Sequence, residues 1–540
     1  MTIMPDHRRS AAAAHSLRMH VRLAPLVLGV LLFSSAADAA PGDSLGVVRD
    51  LGSRVGPIIG SALACRDIAR PRVQVIIEKF QAVIREASST DADRDELTRL
   101  LDRYVADGRT AVTSGRMDCR GAERQLADLE QSIAAPPQTT SGLPEVTIAP
   151  PAAMAATAPT QTLPPPMNVH GVSQSDIKFG IVIPLSGPNR ETGRQMKMGI
   201  EAAFNRANEA GGVNGRMLKL VAADDGYDPS RTLGAMKQLY EKEQVFGFVG
   251  NFGSATAAVA IPYALERRAL FFGAYTGANV TRHDPPDRYV FNYRPSYGEE
   301  SEALVHYLIK LRHLQPRQIA VFAQDDAFGD AGYAGVAKAF RALGANDGAI
   351  LRLKYARNTV DVDSAINQLK AQKTPIRAVI MVATTRAAAK FIEKAQDQFP
   401  GLVFANLSAV GASSLASELM LLGPRYTSGV IVSQVVPGVS GYSSLVLEYK
   451  TALNKYFAGE APDDTSLEGY ISASILIQGL KRAGPTFDAE TLVDTLENLR
   501  NIDLGVGANL AFGRAEHQAS HKIWGTALDE TGTFQPLELE

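Results

Sequence analysis

The stretch Lys178–Asp225, KFGIVIPLSGPNRETGRQMKMGIEAAFNRANEAGGVNGRMLKLVAADD, constrains the fold more than any other part of the chain. Phe179-Gly-Ile-Val-Ile-Pro184 is a short apolar run rich in β-branched residues, which predicts a buried strand. A polar, glycine-containing loop follows at 186–193. Met196, Ile200, Ala203, Phe204 and Ala207 then recur at helical spacing, so an amphipathic helix is expected to about Glu209. Gly211-Gly212 stops it, because glycine readily takes the left-handed position after a helix. Asn214-Gly215 turns the chain into a second apolar strand, Met217–Ala222, which ends at Asp224-Asp225. This is a complete βαβ unit. Its polar loop lies at the carboxyl end of the first strand, where open parallel sheets bind ligands.

The ordered pattern PLSG…G…G…A…N…GGVNG…DD resembles that of the type I periplasmic binding proteins. Within them it is similar to the leucine/isoleucine/valine-binding branch, whose members deliver small solutes to ABC importers. The resemblance spans Ser175 to about Gln535. It implies an α/β fold: two lobes with parallel sheets and a cleft between them, preceded here by a small helical domain. Assigned by pattern, residues 171–540 form the binding domain. Lobe one covers about 175–294 and 430–507, and lobe two about 295–429 and 508–535. Val430–Ser433 is expected to return the chain to the first lobe.

Ahead of that domain the chain begins as an export signal. Arg8, Arg9, Arg18 and Arg22 precede an apolar core, Leu23–Phe33, and Ala37-Asp38-Ala39 forms a small-x-small site. The core is short for a bilayer span, so residues 1–39 are expected to be cleaved and the mature chain to enter the periplasm; an anchor retained at the amino terminus is the competing arrangement. Residues 40–134 are mainly helical in pattern. Val73, Ile76, Ile77, Phe80 and Ile84 share one face, and Leu97, Leu100, Leu101 and Tyr104 another. Asp91 is the expected cap between them, and a third short helix is expected over Gly121–Ser132. Cys65 and Cys119 lie near the outer ends of this hairpin, and an oxidising compartment would let them bridge. Residues 135–170 are rich in alanine, proline and threonine, which predicts a semi-rigid linker. Docking, spacing and oligomerisation all remain open roles for the helical module.

Function classes narrow from the same residues. The 540-residue chain carries a formal charge of -2, so no basic surplus suggests nucleic acid. Two cysteines are too few for an all-cysteine metal site, and no motif calls for a cofactor. Nine histidines are scattered without an HExxH spacing, Ser254 lacks a GxSxG elbow, and Gly250-Asn-Phe-Gly253 is followed by no GK[ST]. An enzyme is therefore not expected.

The resemblance also assigns candidate site residues. Ser254, Ala274 and Thr276 match the loops that hold the ligand carboxylate in the family. On the second lobe the matching positions are Phe328, Thr384 and Ser408, where the amino-acid binders carry aromatics and a glutamate for the ligand ammonium. Ser408 has no charge, and a buried ammonium without a carboxylate is costly. The expected ligand is accordingly a small solute with a carboxylate or other acceptor-rich group and an apolar body, not a standard branched-chain amino acid. Asp325 or Asp326 could substitute for the missing glutamate; a solvent-facing turn is the plain alternative. Tyr275, Tyr297 and Phe328 are candidate walls, and Glu191 and Thr192 could read the outer end of the solute. An importer receptor implies a membrane permease and ATPase as partners. A ligand sensor signalling through a partner of the helical domain is the second class, and an envelope protein with a degenerate cleft the third.

Overall fold

Close helix contact organises the amino-terminal region. In the computed structural model, which describes residues 43–88, 90–114, 117–134 and 168–539, α1 (Asp43–Ala64) and α2 (Arg70–Ala87) are followed by α3 (Asp91–Thr113) and α4 (Cys119–Ala134). A Cβ on Gly60 would lie 2.0 Å from the carbonyl oxygen of Val105, so glycine alone lets α1 meet α3 backbone to backbone. Ile59, Val73, Ile76, Phe80, Leu97, Leu101 and Leu126 close the core of this bundle. Thr90, rather than the expected Asp91, caps α3. Its hydroxyl accepts from Asp93 N while Asp93 accepts from Thr90 N, both at 3.1 Å, because Asp93 sits at the third helical position where a capping box closes. The Cys65–Cys119 disulfide is formed, with Cα atoms 5.6 Å apart. It ties the end of α1 to the start of α4.

The chain divides into two compact units, Met1–Ala155 and Ala156–Glu540. The expected signal segment 1–39, and all of the linker up to residue 167, lie outside the described residues.

In the second unit, β1 (Asp176–Ile183) is buried throughout Phe179–Ile183, as a strand covered on both faces must be. α5 (Arg190–Glu209) carries the chain to β2 (Met217–Asp224), paired in parallel with β1. α6 (Pro229–Lys237), β3 (Gly247–Val249), α7 (Ser254–Glu266), β4 (Leu270–Phe272) and β5 (Val290–Phe291) complete the first sheet, in the order β2-β1-β3-β4-β5. α8 (Tyr297–His306) leads to the second lobe: β6 (Ile319–Gln324), α9 (Ala327–Ala342), β7 (Leu351–Tyr355), α10 (Asp363–Lys370), β8 (Ala378–Val382), α11 (Thr385–Gln396), β9 (Val403–Asn406), α12 (Ala412–Leu422) and β10 (Val430–Gln434). α13 (Ser444–Tyr456), α14 (Asp464–Ala483) and α15 (Ala489–Glu497) follow, then β11 (Trp524–Leu528) and β12 (Phe534–Leu537). The second sheet runs β12-β11-β10-β9-β8-β6-β7, with β11 and β12 antiparallel at its edge.

Two crossovers differ from the sequence expectation. Val430–Ser433 does not return to the first lobe. β10 pairs in parallel with β9, Val430 opposite Phe404, and Ser433 Oγ donates to the buried Glu300 carboxylate at 2.7 Å. The return comes after β10, when α13 and α14 pack on α5. A Cβ on Gly199 would lie 1.8 Å from Ser466 O, which fixes how closely α14 approaches. The last crossing is also later than residue 508. Asn292 N donates to His517 O (2.7 Å) and Ala519 N to Asn292 O (2.8 Å), so the chain still borders β5 there.

Candidate functional site

The first-lobe wall is built at the amino terminus of α7. Ser254, the first residue of that helix, places its Oγ 2.8 Å from Thr276 Oγ1, and Ala278 N donates to Thr276 Oγ1 at 3.1 Å. Ala274 precedes Thr276 in the loop after β4, its carbonyl accepting from Thr276 N at 2.8 Å, and all three residues are buried. Helix-terminal amides and two hydroxyls thus converge on one point, an arrangement suited to an acceptor-rich group. Tyr275 is packed parallel to Phe252, with ring centroids 5.4 Å apart, and its hydroxyl meets Thr465 Oγ1 at 3.3 Å and Ser408 O at 3.4 Å.

Phe328 stands on the opposite lobe, at the start of α9. It is 3% exposed and packs on Tyr297 at 5.2 Å between centroids. Asp326 is spent as the α9 cap, accepting from Phe328 N at 3.0 Å and pairing with Arg357 at 3.1 Å. Asp325 pairs with Lys354 at 2.9 Å on the surface. Neither carboxylate is therefore available to replace the missing glutamate. Thr384 acts through its backbone: its N–H donates to Tyr355 OH (2.9 Å), which donates to Gln324 Oε1 (3.0 Å), while Gln324 Nε2 donates to Tyr227 OH (2.9 Å) on the first lobe.

Ser408 is uncharged, yet a carboxylate surrounds it. Ser408 N donates to Glu300 Oε2 at 2.8 Å and Ser408 Oγ to Glu300 Oε1 at 3.0 Å. Sequence reasoning missed Glu300. Its signal was a charge on the same helix face as Ala303 and Leu304, immediately after the Ser296/Glu299 capping box. Arg294 also reaches this point, hydrogen-bonding Ser408 Oγ and lying 3.5 Å from Glu300 Oε1 and 3.6 Å from Glu468 Oε1. Its guanidinium sits over the Tyr275 ring at 4.8 Å and the Tyr297 ring at 5.7 Å. Burial works against its charge, but Glu468 and Glu300 hold Arg294 above the ordinary arginine range.

Above this buried layer, a cavity of about 740 Å³ opens between the lobes, lined among others by Glu191, Thr192, Gln195, Thr385, Arg386 and Asp463. The expected site residues are thus divided between two levels: Glu191 and Thr192 at the mouth, the rest on the closed floor. Glu191 turns along its own helix to Arg194 (2.7 Å) and Gln195 (2.9 Å). Further contacts latch the lobes nearer the cavity. The Asp464 carboxylate accepts from Ala412 N (2.9 Å) and Ser413 N (2.8 Å) at the start of α12, and Asn189 Nδ2 donates to Asn358 Oδ1 at 3.0 Å.

The paired aspartates at the end of β2 and the histidines near the carboxyl terminus have structural partners. Asp224 is pinned by Leu185 N, Ser186 and Arg231, and Asp225 by Tyr227 N and Thr232. His521 bonds Glu299 at 2.6 Å, and His517 stacks on Phe291 at 3.9 Å. Among the described residues no three histidine, cysteine or acidic side chains are grouped to hold a metal.

Comparisons with known proteins agree with this architecture. Residues 176–533 match the family described as periplasmic binding protein. A Leu/Ile/Val-binding protein homolog of Brucella melitensis biotype 1 is 24% identical over 341 residues, covering 62% of this chain and 86% of that protein. The crystal structure of a possible leucine/isoleucine/valine-binding protein from Rhodopirellula baltica SH 1 superposes with a TM-score of 0.64 at 35% identity, covering 69% of this chain and 98% of that one. A fatty acid ABC transporter substrate-binding protein from Thermomonospora curvata shares the fold, with a TM-score of 0.62 at 20% identity, over 69% of this chain and 94% of that one.

Proposed function

Because this chain belongs to the periplasmic binding protein family, we propose that it is an extracytoplasmic receptor that captures a small carboxylate- or amide-containing solute by hinge closure and passes it to an ABC permease and ATPase. The observation that carries this reading is the buried pairing of Ser254 and Thr276 at the start of α7, with Phe328 buried against Tyr297 at the start of α9 on the other lobe. Three connections join the lobes, so closure can proceed as a hinge about them. The ligands for which these relatives are named, branched-chain amino acids and fatty acids, share a carboxylate and an apolar body.

A standard branched-chain amino acid fits less well. On the second lobe the Glu300 carboxylate is already occupied by Ser408 N, Ser408 Oγ, Ser433 Oγ and Arg294, leaving no oxygen free for an ammonium there. The residues 1–39 would direct the chain to the periplasm. Native mass spectrometry of the protein purified from its own host tests the reading directly. A co-purifying small carboxylate or amide that raises the melting temperature on re-addition supports it; a protein that neither retains nor is stabilised by any such solute overturns it.

A second reading rests on the disulfide-bridged helical unit, which the binding fold does not need. A ligand sensor would use it to engage a signalling partner. Pull-down with the helical unit as bait separates the two, because an importer receptor would recover permease rather than a signalling protein.

A further inference from the structure

The mouth cavity between the lobes is lined differently from the floor beneath it. Its apolar side chains are Pro188, Leu421, Ala461 and Pro462, none of them aromatic, and hydroxyl, amide and charged groups make up most of the rest. Such a lining suits a polar group better than a hydrocarbon chain.

Two helices from opposite lobes begin at this wall. Arg190 and Thr192 stand in the first turn of α5, and Thr385 and Arg386 in that of α11. Neither helix start is capped by a side chain. Asn189 turns instead to Asn358, and the Thr384 side chain accepts from no helix amide. Uncapped helix starts favour an acceptor or an anion. The start of α12, in the same wall, already holds one: the Asp464 carboxylate accepts there from Ala412 N at 2.9 Å and Ser413 N at 2.8 Å.

The charged side chains are unequally committed. Glu191 and Glu460 both turn to Arg194, at 2.7 Å each. Burial, with Asp464 beside it, raises the Asp463 carboxyl and so favours its uncharged form. Arg190 and Arg386 are exposed, and neither guanidinium makes an ion pair or a hydrogen bond among the described residues. Glu418 is the lining carboxylate likewise left without a partner. The lining is thus close to neutral, and what favours an anion is the placing of two uncommitted guanidiniums beside two uncapped helix starts.

Gln195 is an independent mark on the same cavity. It is 7% exposed, and its Nε2 is committed to Glu191 at 2.9 Å. Its Oε1 is buried and accepts no hydrogen bond, although the side chain lines the cavity. A buried acceptor in that state is costly until a donor meets it.

Resting on the receptor function proposed above, we infer that the mouth cavity binds a second carboxylate of the captured solute between Arg190 and Arg386, with a hydroxyl next to that carboxylate donating to Gln195 Oε1. The solute is then a hydroxy dicarboxylate whose inner end goes to Ser254 and Thr276. Because the two guanidiniums belong to different lobes, the outer carboxylate favours the closed arrangement as it binds.

Calorimetry on the full chain tests this with pairs that differ by one carboxylate: glutarate with butyrate, adipate with pentanoate, and pimelate with hexanoate. For at least one pair the wild type should bind the diacid about tenfold more tightly or better. The double variant Arg190→Gln, Arg386→Gln should abolish that preference. Its melting temperature without solute should match wild type, since neither guanidinium has a partner to lose. The hydroxyl is read with 2-hydroxyglutarate, one enantiomer of which should gain about fivefold over glutarate, a gain that Gln195→Met removes. Equal binding within every pair, or a diacid preference that survives the double variant, overturns the mouth site and leaves solute capture intact. No gain from the hydroxyl, or a gain that survives Gln195→Met, overturns the role of Gln195. Wild-type protein that binds no member of any pair overturns capture of these carboxylates, and this inference with it.

Discussion

The backbone nitrogen of Ser408 lies 2.8 Å from a carboxylate oxygen of Glu300, so a helix at the lobe junction supplies the charge that the loop after β9 lacks. The same carboxylate holds Ser433 of β10 and faces Arg294. Glu300 therefore binds α8, β9 and β10 into one buried joint.

Removing that joint should cost stability. Glu300→Ala leaves Arg294 with an incomplete counter-charge and Ser408 N without its acceptor, an expected loss of about 3 kcal/mol. Urea unfolding of the binding unit measures it; a midpoint unchanged from wild type would refute the account of the joint.

At the floor of the cleft, Thr276→Val should weaken solute binding by about 1–3 kcal/mol, because a hydroxyl is lost with little volume. The Ala278 N–H also loses its acceptor, so the unliganded fold should weaken by about 1 kcal/mol. Phe328→Ala should reduce affinity comparably through lost apolar contact. Leucine should bind poorly. Tight leucine binding that survives both substitutions would overturn the site and its ligand class together.

Asp464→Asn removes a negative charge from the start of α12 while keeping the side chain's size. The expected cost to lobe closure is about 1 kcal/mol. Small-angle scattering of the unliganded protein should show a larger radius, and solute affinity should fall with it. A variant as compact as wild type with unchanged affinity would show that Asp464 is not a latch.

The acid limb of the stability curve has an identifiable contributor. Burial alone would raise the Glu299 carboxyl, but hydrogen bonds from His521, Ser296 and Gln518 bring it down to about 2. A depressed carboxylate stabilises the fold above its unfolded value near 4.5 and loses that contribution as pH falls toward 2. With its partial exposure allowed for, the loss should be about 2 kcal/mol. His521 is shifted upward by Glu299, so its own contribution is present in acid and fades as pH rises through its folded pKa. Glu299→Gln should flatten the acid limb between about pH 4.5 and 2; denaturation curves across that window decide it.

Oxidised protein should titrate no free thiols, because both cysteines are bridged. Reduction should destabilise the helical unit by about 4 kcal/mol, from the loop entropy of a 54-residue separation. Calorimetric scans should show one transition that moves on reduction and one that does not.

Local sequence determined the elements and their order. A β-branched apolar run, a helical face at the right period and a glycine stop suffice for β1, α5 and β2, since each depends on neighbours a few positions away. Two cysteines flanking a helical hairpin likewise marked their own bridge. Ser254, Thr276 and Phe328 were assigned through the pattern of the strand-end loops; the structure pairs Ser254 with Thr276 and packs Phe328 on Tyr297, and whether they hold a solute is for the binding measurements above.

Tertiary structure alone decided what those residues face. The strand after α12 had no local mark telling it which sheet to join; its pairing with β9 and the Ser433–Glu300 hydrogen bond settled that. Arg294, Glu300 and Glu468 are up to 174 positions apart in the chain, the span from Arg294 to Glu468, and each reads in sequence as an ordinary helix or loop charge. Only the packing of α8 and α14 against the seam strips water from all three, and desolvation is what turns separate surface-like charges into one coupled cluster.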